Sequence, residues 1–175
     1  MKRGVIFFLI IFGTFVLQTV LGNLLPDNVA TPNLLLILSV SMGFMRGKKS
    51  GMWTGLVSGL FVDLFFGNVF GVNALLLMYV GYLSGMMYKM FFDNDIRVPM
   101  VAVAAADLCY NIAFFVVNFA IHHRLKIGAY LTGTILPEVV SSIIFTIGFY
   151  WIYYWLNKKI VAGELEEEQS PWLRR

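Results

Sequence analysis

The chain has 175 residues, of which 59% are hydrophobic and only 13% are charged, and its mean hydropathy is +0.77. Soluble domains are about 45–50% apolar and about 25% charged, so this composition excludes an ordinary soluble enzyme domain. The net charge of +3 comes from basic residues grouped in twos and threes beside apolar segments, which is typical of membrane topology signals and not of nucleic-acid binding.

Six apolar segments follow one another with short connections and predict an all-α membrane protein with six transmembrane helices in a compact bundle. The first segment is longer than the apolar core of a signal peptide, so it is predicted to remain as a span. A six-helix membrane domain, 1–160, and a short polar cytoplasmic tail, 161–175, make up the chain. The predicted spans are 5–25, 33–45, 52–66, 72–92, 98–121 and 137–156.

The positions of the basic residues predict how often the chain crosses the membrane. The second segment is short enough to be a re-entrant piece, which would change the side of every later loop. With six crossings and a cytoplasmic amino terminus, eleven of the 13 Lys and Arg residues lie inside, and only Arg124 and Lys126 lie outside. Without the second crossing, only four would lie inside. The positive-inside rule therefore predicts six crossings with both termini in the cytoplasm.

A stripe of small residues runs along the third span and ends in a carboxylate. Gly51, Gly55 and Gly59 recur every four residues, and Asp63 is the next position in the series. This face is predicted to pack closely against another helix, and the following turn brings Asn73 near Asp63. Asp63 either joins the hairpin by hydrogen bonding or capping, or belongs to a ligand, ion or proton site. Further glycines predicted to serve in packing are Gly67, Gly71, Gly81 and Gly85.

The fifth span carries a polar stripe. Asp107, Asn111 and Asn118 fall at positions that share one face of a helix. Ionisable residues inside a membrane are costly and face the protein interior or water. The stripe therefore either forms hydrogen bonds with other helices or lines a hydrated cavity.

The sixth span opens with Pro137 and Glu138, and both residue types favour the start of a helix. Capping is the predicted role of Glu138. The two basic residues on the outer side, Arg124 and Lys126, lie where Asp63 and Glu138 approach the surface. An ion pair between these groups is a further hypothesis.

The sequence predicts no catalytic residues, no metal site and no cofactor. Cys109 is the single cysteine and lies in an apolar run, so it is interpreted as a packing residue. His122 and His123 lack a third ligand at a suitable spacing. A third hypothesis is an enzyme that acts on a lipid-linked substrate, with Asp63 or Glu138 as acid or base. Nothing in the sequence places a second catalytic group within reach of either residue.

Short motifs in residues 32–85 resemble the rod shape-determining protein MreD of bacteria, and the length and span count are also similar. The family commonly has Pro-Asp where this chain has Pro32-Asn33. The motifs are PNLLLI at 32–37, DLFFG at 63–67, GVNAL at 71–75 and GYLSG at 81–85.

The resemblance implies a non-enzymatic scaffold of the elongasome in the bacterial inner membrane, needed for rod shape during peptidoglycan synthesis. It implies MreC as partner, through its transmembrane helix and adjacent region, and indirectly MreB and the RodA and transpeptidase synthases. The family also resembles in fold the S components of energy-coupling-factor transporters. The alternative is therefore an outward-facing vitamin-binding subunit whose pocket is lined by Asp63, Asp107, Asn111 and Asn118.

Overall fold

A computed structural model describes residues 2–24, 31–67, 69–87, 97–122 and 136–169. These residues form six helices and contain no strand, which confirms the predicted all-α class. In chain order the helices are α1 Lys2–Leu24, α2 Leu34–Arg46, α3 Lys48–Phe65, α4 Val72–Met86, α5 Arg97–His122 and α6 Leu136–Gln169.

Most helix ends lie within a few residues of the predicted spans, and the largest difference is at the end of α6. The predicted span ends at residue 156, whereas α6 continues to Gln169 and so includes most of the predicted polar tail. Glu, Leu and Gln, which make up residues 164–169, are all strong helix formers. The helix therefore continues although its apolar pattern has ended.

The second helix forms the core of the bundle. Its residues from Leu34 to Phe44 are all buried, and it packs against each of the other five helices. With 13 residues it is about 20 Å long, shorter than the roughly 30 Å of a bilayer's hydrocarbon core. Complete enclosure by other helices gives this short segment an apolar environment.

The outer surface of the bundle is strongly apolar. Among the described residues, two segments, Gly4–Leu24 in α1 and Met100–Val117 in α5, are long and apolar enough to cross a membrane. Large side chains on the outside include Leu9, Val101 and Trp151, which are 59%, 69% and 66% exposed. A soluble protein rarely exposes so many large apolar side chains, whereas lipid is a suitable solvent for them.

Polar contacts connect α6 to the first two helices. The Thr14 hydroxyl of α1 lies 3.3 Å from the Tyr153 hydroxyl. At the end of α2, Arg46 Nε donates to Asn157 Oδ1 at 2.5 Å, and the guanidinium lies 4.9 Å from the centre of the Phe7 ring. These contacts hold the long last helix against the α1–α2 side of the bundle.

Candidate functional site

The α3–α4 hairpin is packed backbone against backbone. A Cβ atom at Gly51 would collide with the Gly81 carbonyl oxygen, and one at Gly55 with the Leu77 carbonyl oxygen. At the end of the stripe nearest Asp63, a Cβ at Gly59 would collide with Ala74. No side chain fits at these positions, so the glycine stripe sets the distance between the two helices.

Asp63, the next residue of the stripe, lies at the amino terminus of α4. Its Oδ2 accepts hydrogen bonds from the backbone N–H groups of Gly71 at 3.0 Å and Ala74 at 2.9 Å. Its Oδ1 accepts from the backbone N–H of Asn73 at 3.1 Å and from Asn73 Nδ2 at 2.9 Å. The first N–H groups of a helix have no partner within the helix and carry partial positive charge, so a carboxylate is well stabilised there. The buried side chain of Asp63 therefore caps α4 from the neighbouring helix.

Asn73 extends this arrangement to a third helix. Its Oδ1 accepts a hydrogen bond from the Tyr110 hydroxyl of α5 at 2.5 Å, while its amide donates to Asp63. Asn73 and Tyr110 are 4% and 8% exposed. One hydrogen-bonded chain thus runs through α5, α4 and α3, and we call Tyr110, Asn73 and Asp63 the outer network.

Two further glycines shape the turn that the outer network closes. Gly71 has φ +96°, a left-handed conformation that favours glycine, and it directly precedes α4. A Cβ at Gly67 would lie 2.7 Å from Asp63 Cα. The turn therefore depends on glycine at one position for its backbone angle and at the other for space.

Asp107 on α5 has a different environment. Its side chain is completely buried, and Asn111 Nδ2, one turn away, lies 3.4 Å from its Oδ1. The carboxyl group also has a side-chain hydrogen bond with Ser142 of α6, whose Oγ accepts from the backbone N–H of Asn33 at 3.3 Å. Among the described residues, Asp107 Oδ2 has no hydrogen-bond partner. This carboxylate is therefore much less well satisfied than that of Asp63.

A half-open cleft of ≈ 250 Å³ lies beside Asn111, the neighbour of Asp107, and we call it the polar cleft. Glu138, in the first turn of α6, lines it, interacts electrostatically with Asp107 and lies within hydrogen-bonding reach of Asn111. Neither Asp63 nor Asp107 is among the lining residues, although Val62 and Asn111 are. The polar cleft is lined by Gln18, Thr31, Asn33, Val62, Tyr110, Asn111, Phe114 and Glu138.

The structure brings the predicted polar residues together in two groups. The outer network contains Asp63 and Asn73. Asn111 and Glu138 line the polar cleft, and Asp107 lies next to Asn111. Arg124 and Lys126 lie outside the described residues, as does the side chain of Asn118. The ion pair predicted for the two basic residues stays a prediction, as do the functional roles assigned to all these positions. Within the described residues, no group of three His, Cys, Asp or Glu side chains is placed to hold a metal ion.

Several residues of these sites were missed in the sequence. Tyr110 and Ser142 resemble ordinary core residues of apolar helices, although Tyr110 follows Asp107 by three positions and Ser142 follows Glu138 by four. Gln18 Oε1 accepts from the Leu35 N–H at 3.0 Å, and no motif marks it. Gly43 of α2 meets the glycine stripe, since a Cβ there would lie 2.8 Å from the Gly81 carbonyl oxygen. The signal in the sequence was helical spacing, which places Tyr110 on the same face as Asp107 and Ser142 on the same face as Glu138.

Comparison with known proteins identifies a family over most of the chain. Residues 1–160 match the sequence profile of a family described as rod shape-determining protein MreD. No solved structure matches the chain. The match covers all six helices except the last part of α6, and so includes both the outer network and the polar cleft.

Proposed function

This chain belongs to the rod shape-determining protein MreD family, and we propose that it acts as a non-enzymatic scaffold in the bacterial inner membrane. The family is a membrane protein family with a role in rod shape determination, and it is not known as an enzyme family. The single observation that carries the proposal is the match over residues 1–160.

The packing of the hairpin supports a scaffold role. Glycines let the α3 and α4 backbones touch, and the Asp63 carboxylate closes the hairpin with four hydrogen bonds. Close packing and satisfied polar groups restrict a helix pair to one arrangement. A restricted unit of this kind can present a constant surface to another membrane protein.

The proposed partner is MreC, bound through its transmembrane helix and the adjacent region. Contact with MreB and with the RodA and transpeptidase synthases is proposed to be indirect. Both termini are placed in the cytoplasm because that topology puts most basic residues inside. Since apolar contact with lipid is as favourable as contact with leucine, the partner helix must find close van der Waals packing on the bundle.

Site-specific photo-crosslinking in membranes tests this proposal. A photoreactive residue is placed in turn at exposed positions of α1, α5 and α6, namely Leu9, Val101 and Trp151. The proposal expects a crosslink to the MreC transmembrane segment from one face, and none from the buried control position Leu36. Complete absence of MreC from the crosslinked and co-purified material would remove the proposed partner.

The vitamin-carrier alternative gains no support. The family match is to a shape-determining family, and the Asp63 carboxylate, expected to line the carrier pocket, is bonded to the α4 terminus instead. Co-purification of a vitamin or of an ATPase module, in place of MreC, is the result that would favour the alternative.

A further inference from the structure

A groove separates the first halves of α1 and α3, and we call it the α1–α3 groove. Farther along, the two helices meet through aromatic rings, since the centre of the Phe61 ring lies 5.7 Å from that of Phe8 and 5.4 Å from that of Phe15. Nearer their amino ends, a half-open space of ≈ 330 Å³ remains. A Cβ at Gly4, which lines this space, would meet nothing within 4 Å. The seam between the two helices is therefore closed at one end and open at the other.

The groove is apolar along its walls and polar at one end. Phe7 and Ile11 of α1 and Val57 of α3 supply apolar walls. Ser50 lies in the first turn of α3, so it marks the end of the groove nearest the membrane surface. Trp53 also lines the groove and is 60% exposed, as is typical of tryptophan at a membrane interface. An occupant of matching chemistry has a polar group at the surface and an apolar chain below it.

Positive charge lies at the polar end of the groove. The Arg46 guanidinium lies 4.9 Å from the centre of the ring of Phe7, which forms part of the wall. Lys49 is exposed and precedes Trp53 by one helical turn, so both residues lie on the same side of α3. In sequence, α1 also begins with a lysine and an arginine. Basic pockets between membrane helices attract the headgroups of anionic lipids, so the charge of this groove complements such a lipid.

The size of the groove suits a lipid chain and not a helix. A helix with its side chains is about 10 Å wide, so even a 10 Å length of it needs more than about 700 Å³. The groove offers ≈ 330 Å³. This volume is about eleven times the share of one water molecule in the liquid, which suits a stretch of one acyl chain.

We propose that the α1–α3 groove binds one anionic phospholipid, with an acyl chain against Phe7 and Val57 and the phosphate beside Ser50 and Lys49. The proposed topology places this lipid in the cytoplasmic leaflet. Binding by the purified chain depends neither on that topology nor on the proposed contact with MreC, so its failure would leave both untouched.

Thermal unfolding of the full chain in detergent micelles, titrated with phosphatidylglycerol, tests the proposal. We expect a saturable rise in Tm of about 5 °C at 100-fold excess over Kd. Phosphatidylcholine with the same acyl chains is the matched control, because its headgroup has no net charge. It should bind at least about fivefold more weakly. Equal stabilisation by the two lipids, or by neither, would overturn the proposal.

Two pairs of variants test where the lipid binds. Gly4→Leu should weaken binding of both lipids by about tenfold or more, because its side chain occupies the space of the acyl chain. Gly13→Leu, also on α1 with open space around it, should leave binding unchanged. Lys49→Gln should remove the preference for phosphatidylglycerol. Its control is Lys48→Gln, since the Lys48 amine lies 5.9 Å from the centre of the Tyr82 ring on α4. If one member of the first pair does not fold, the lysine pair still decides the result. Equal effects within either pair would contradict the proposal.

Photo-crosslinking identifies the occupant directly. In vesicles with equal amounts of the two lipids, a photoreactive residue at Trp53 should capture phosphatidylglycerol about fivefold more often than phosphatidylcholine. At Trp151 of α6, which is 66% exposed and does not line the groove, capture should be equal. The same lipid ratio at both positions would overturn the proposal. In native membranes, a crosslink from Trp53 to a protein segment in place of lipid would assign the groove to a partner helix and overturn it as well.

Discussion

Asp63 and Asp107 are both aspartates buried in apolar helices with an asparagine beside them, yet their environments are opposite. The carboxylate of Asp63 accepts four hydrogen bonds, whereas that of Asp107 has one oxygen without a partner among the described residues. Asp63 faces the first turn of α4, where N–H groups are free of intrahelical bonds. Asp107 lies in the middle of α5, where the N–H groups of its own helix are already used. The number of free backbone N–H donors nearby, and not the residue type, therefore decides how well each buried carboxylate is hydrogen-bonded.

Forcing the two helices of the α3–α4 hairpin apart should have the largest effect on stability. We expect Gly55→Leu to destabilise the protein by more than about 3 kcal/mol, because the new side chain collides with the α4 backbone at Leu77 and the helices must separate. Fluorescence-detected size-exclusion chromatography in mild detergent should show loss of the monodisperse peak.

Gly13→Leu is the matched control for this change. A Cβ at Gly13 on α1 would meet nothing within 4 Å, and the position faces outward. The control should keep the monodisperse peak. Loss of the peak in both variants, or in neither, would show that backbone contact does not set the stability of the hairpin.

The turn that presents N–H groups to Asp63 can be weakened more gently. Gly71→Ala forces a side chain into the left-handed region at φ +96° and should lower stability by about 1–2 kcal/mol. The measurement is the Tm in lipid nanodiscs. Gly148→Ala in α6 has open space around it, so it should leave the Tm unchanged or raise it slightly. The reverse order of the two variants would contradict this account of the turn.

The hydrogen bond that connects the hairpin to α5 should contribute least to stability. Tyr110→Phe removes the hydroxyl that donates to Asn73 and should cost about 1 kcal/mol. Tyr79, which is 60% exposed, provides the control, and Tyr79→Phe should be neutral. If the two changes lower the Tm equally, the outer network does not extend to α5 in a way that matters for stability.

The sequence was informative about the hairpin because its chemistry is local and periodic. Glycines spaced by four, continued by Asp63 and followed by a tight turn, restrict the geometry enough to bring Asp63 and Asn73 together. Likewise, long apolar segments with basic flanks predict helices, and most of their ends lie within a few residues of those in the structure. The continuation of α6 into the polar tail was missed because the predicted boundary followed apolarity and not helix propensity.

The polar cleft was only partly predictable, because it is assembled from helices distant in the chain. The stripe of Asp107 and Asn111 was visible, but its proximity to Glu138 and to Gln18 depends on how α1, α5 and α6 are arranged around α2. No local pattern encodes that arrangement. The closeness of Gly43 to Gly81 is another long-range contact of the same kind.

The central claim is that Asp63 stabilises the bundle through its charge whereas Asp107 does not, and one comparison tests it directly. We measure the Tm of Asp63→Asn and Asp107→Asn in nanodiscs of the same composition. Asp63→Asn should lose about 3 kcal/mol, or about 6 °C or more, because the new amide faces N–H donors. Asp107→Asn should match or exceed the wild type, because it removes a buried carboxylate whose Oδ2 has no hydrogen-bond partner among the described residues. Equal losses, or a larger loss at Asp107, would contradict the claim.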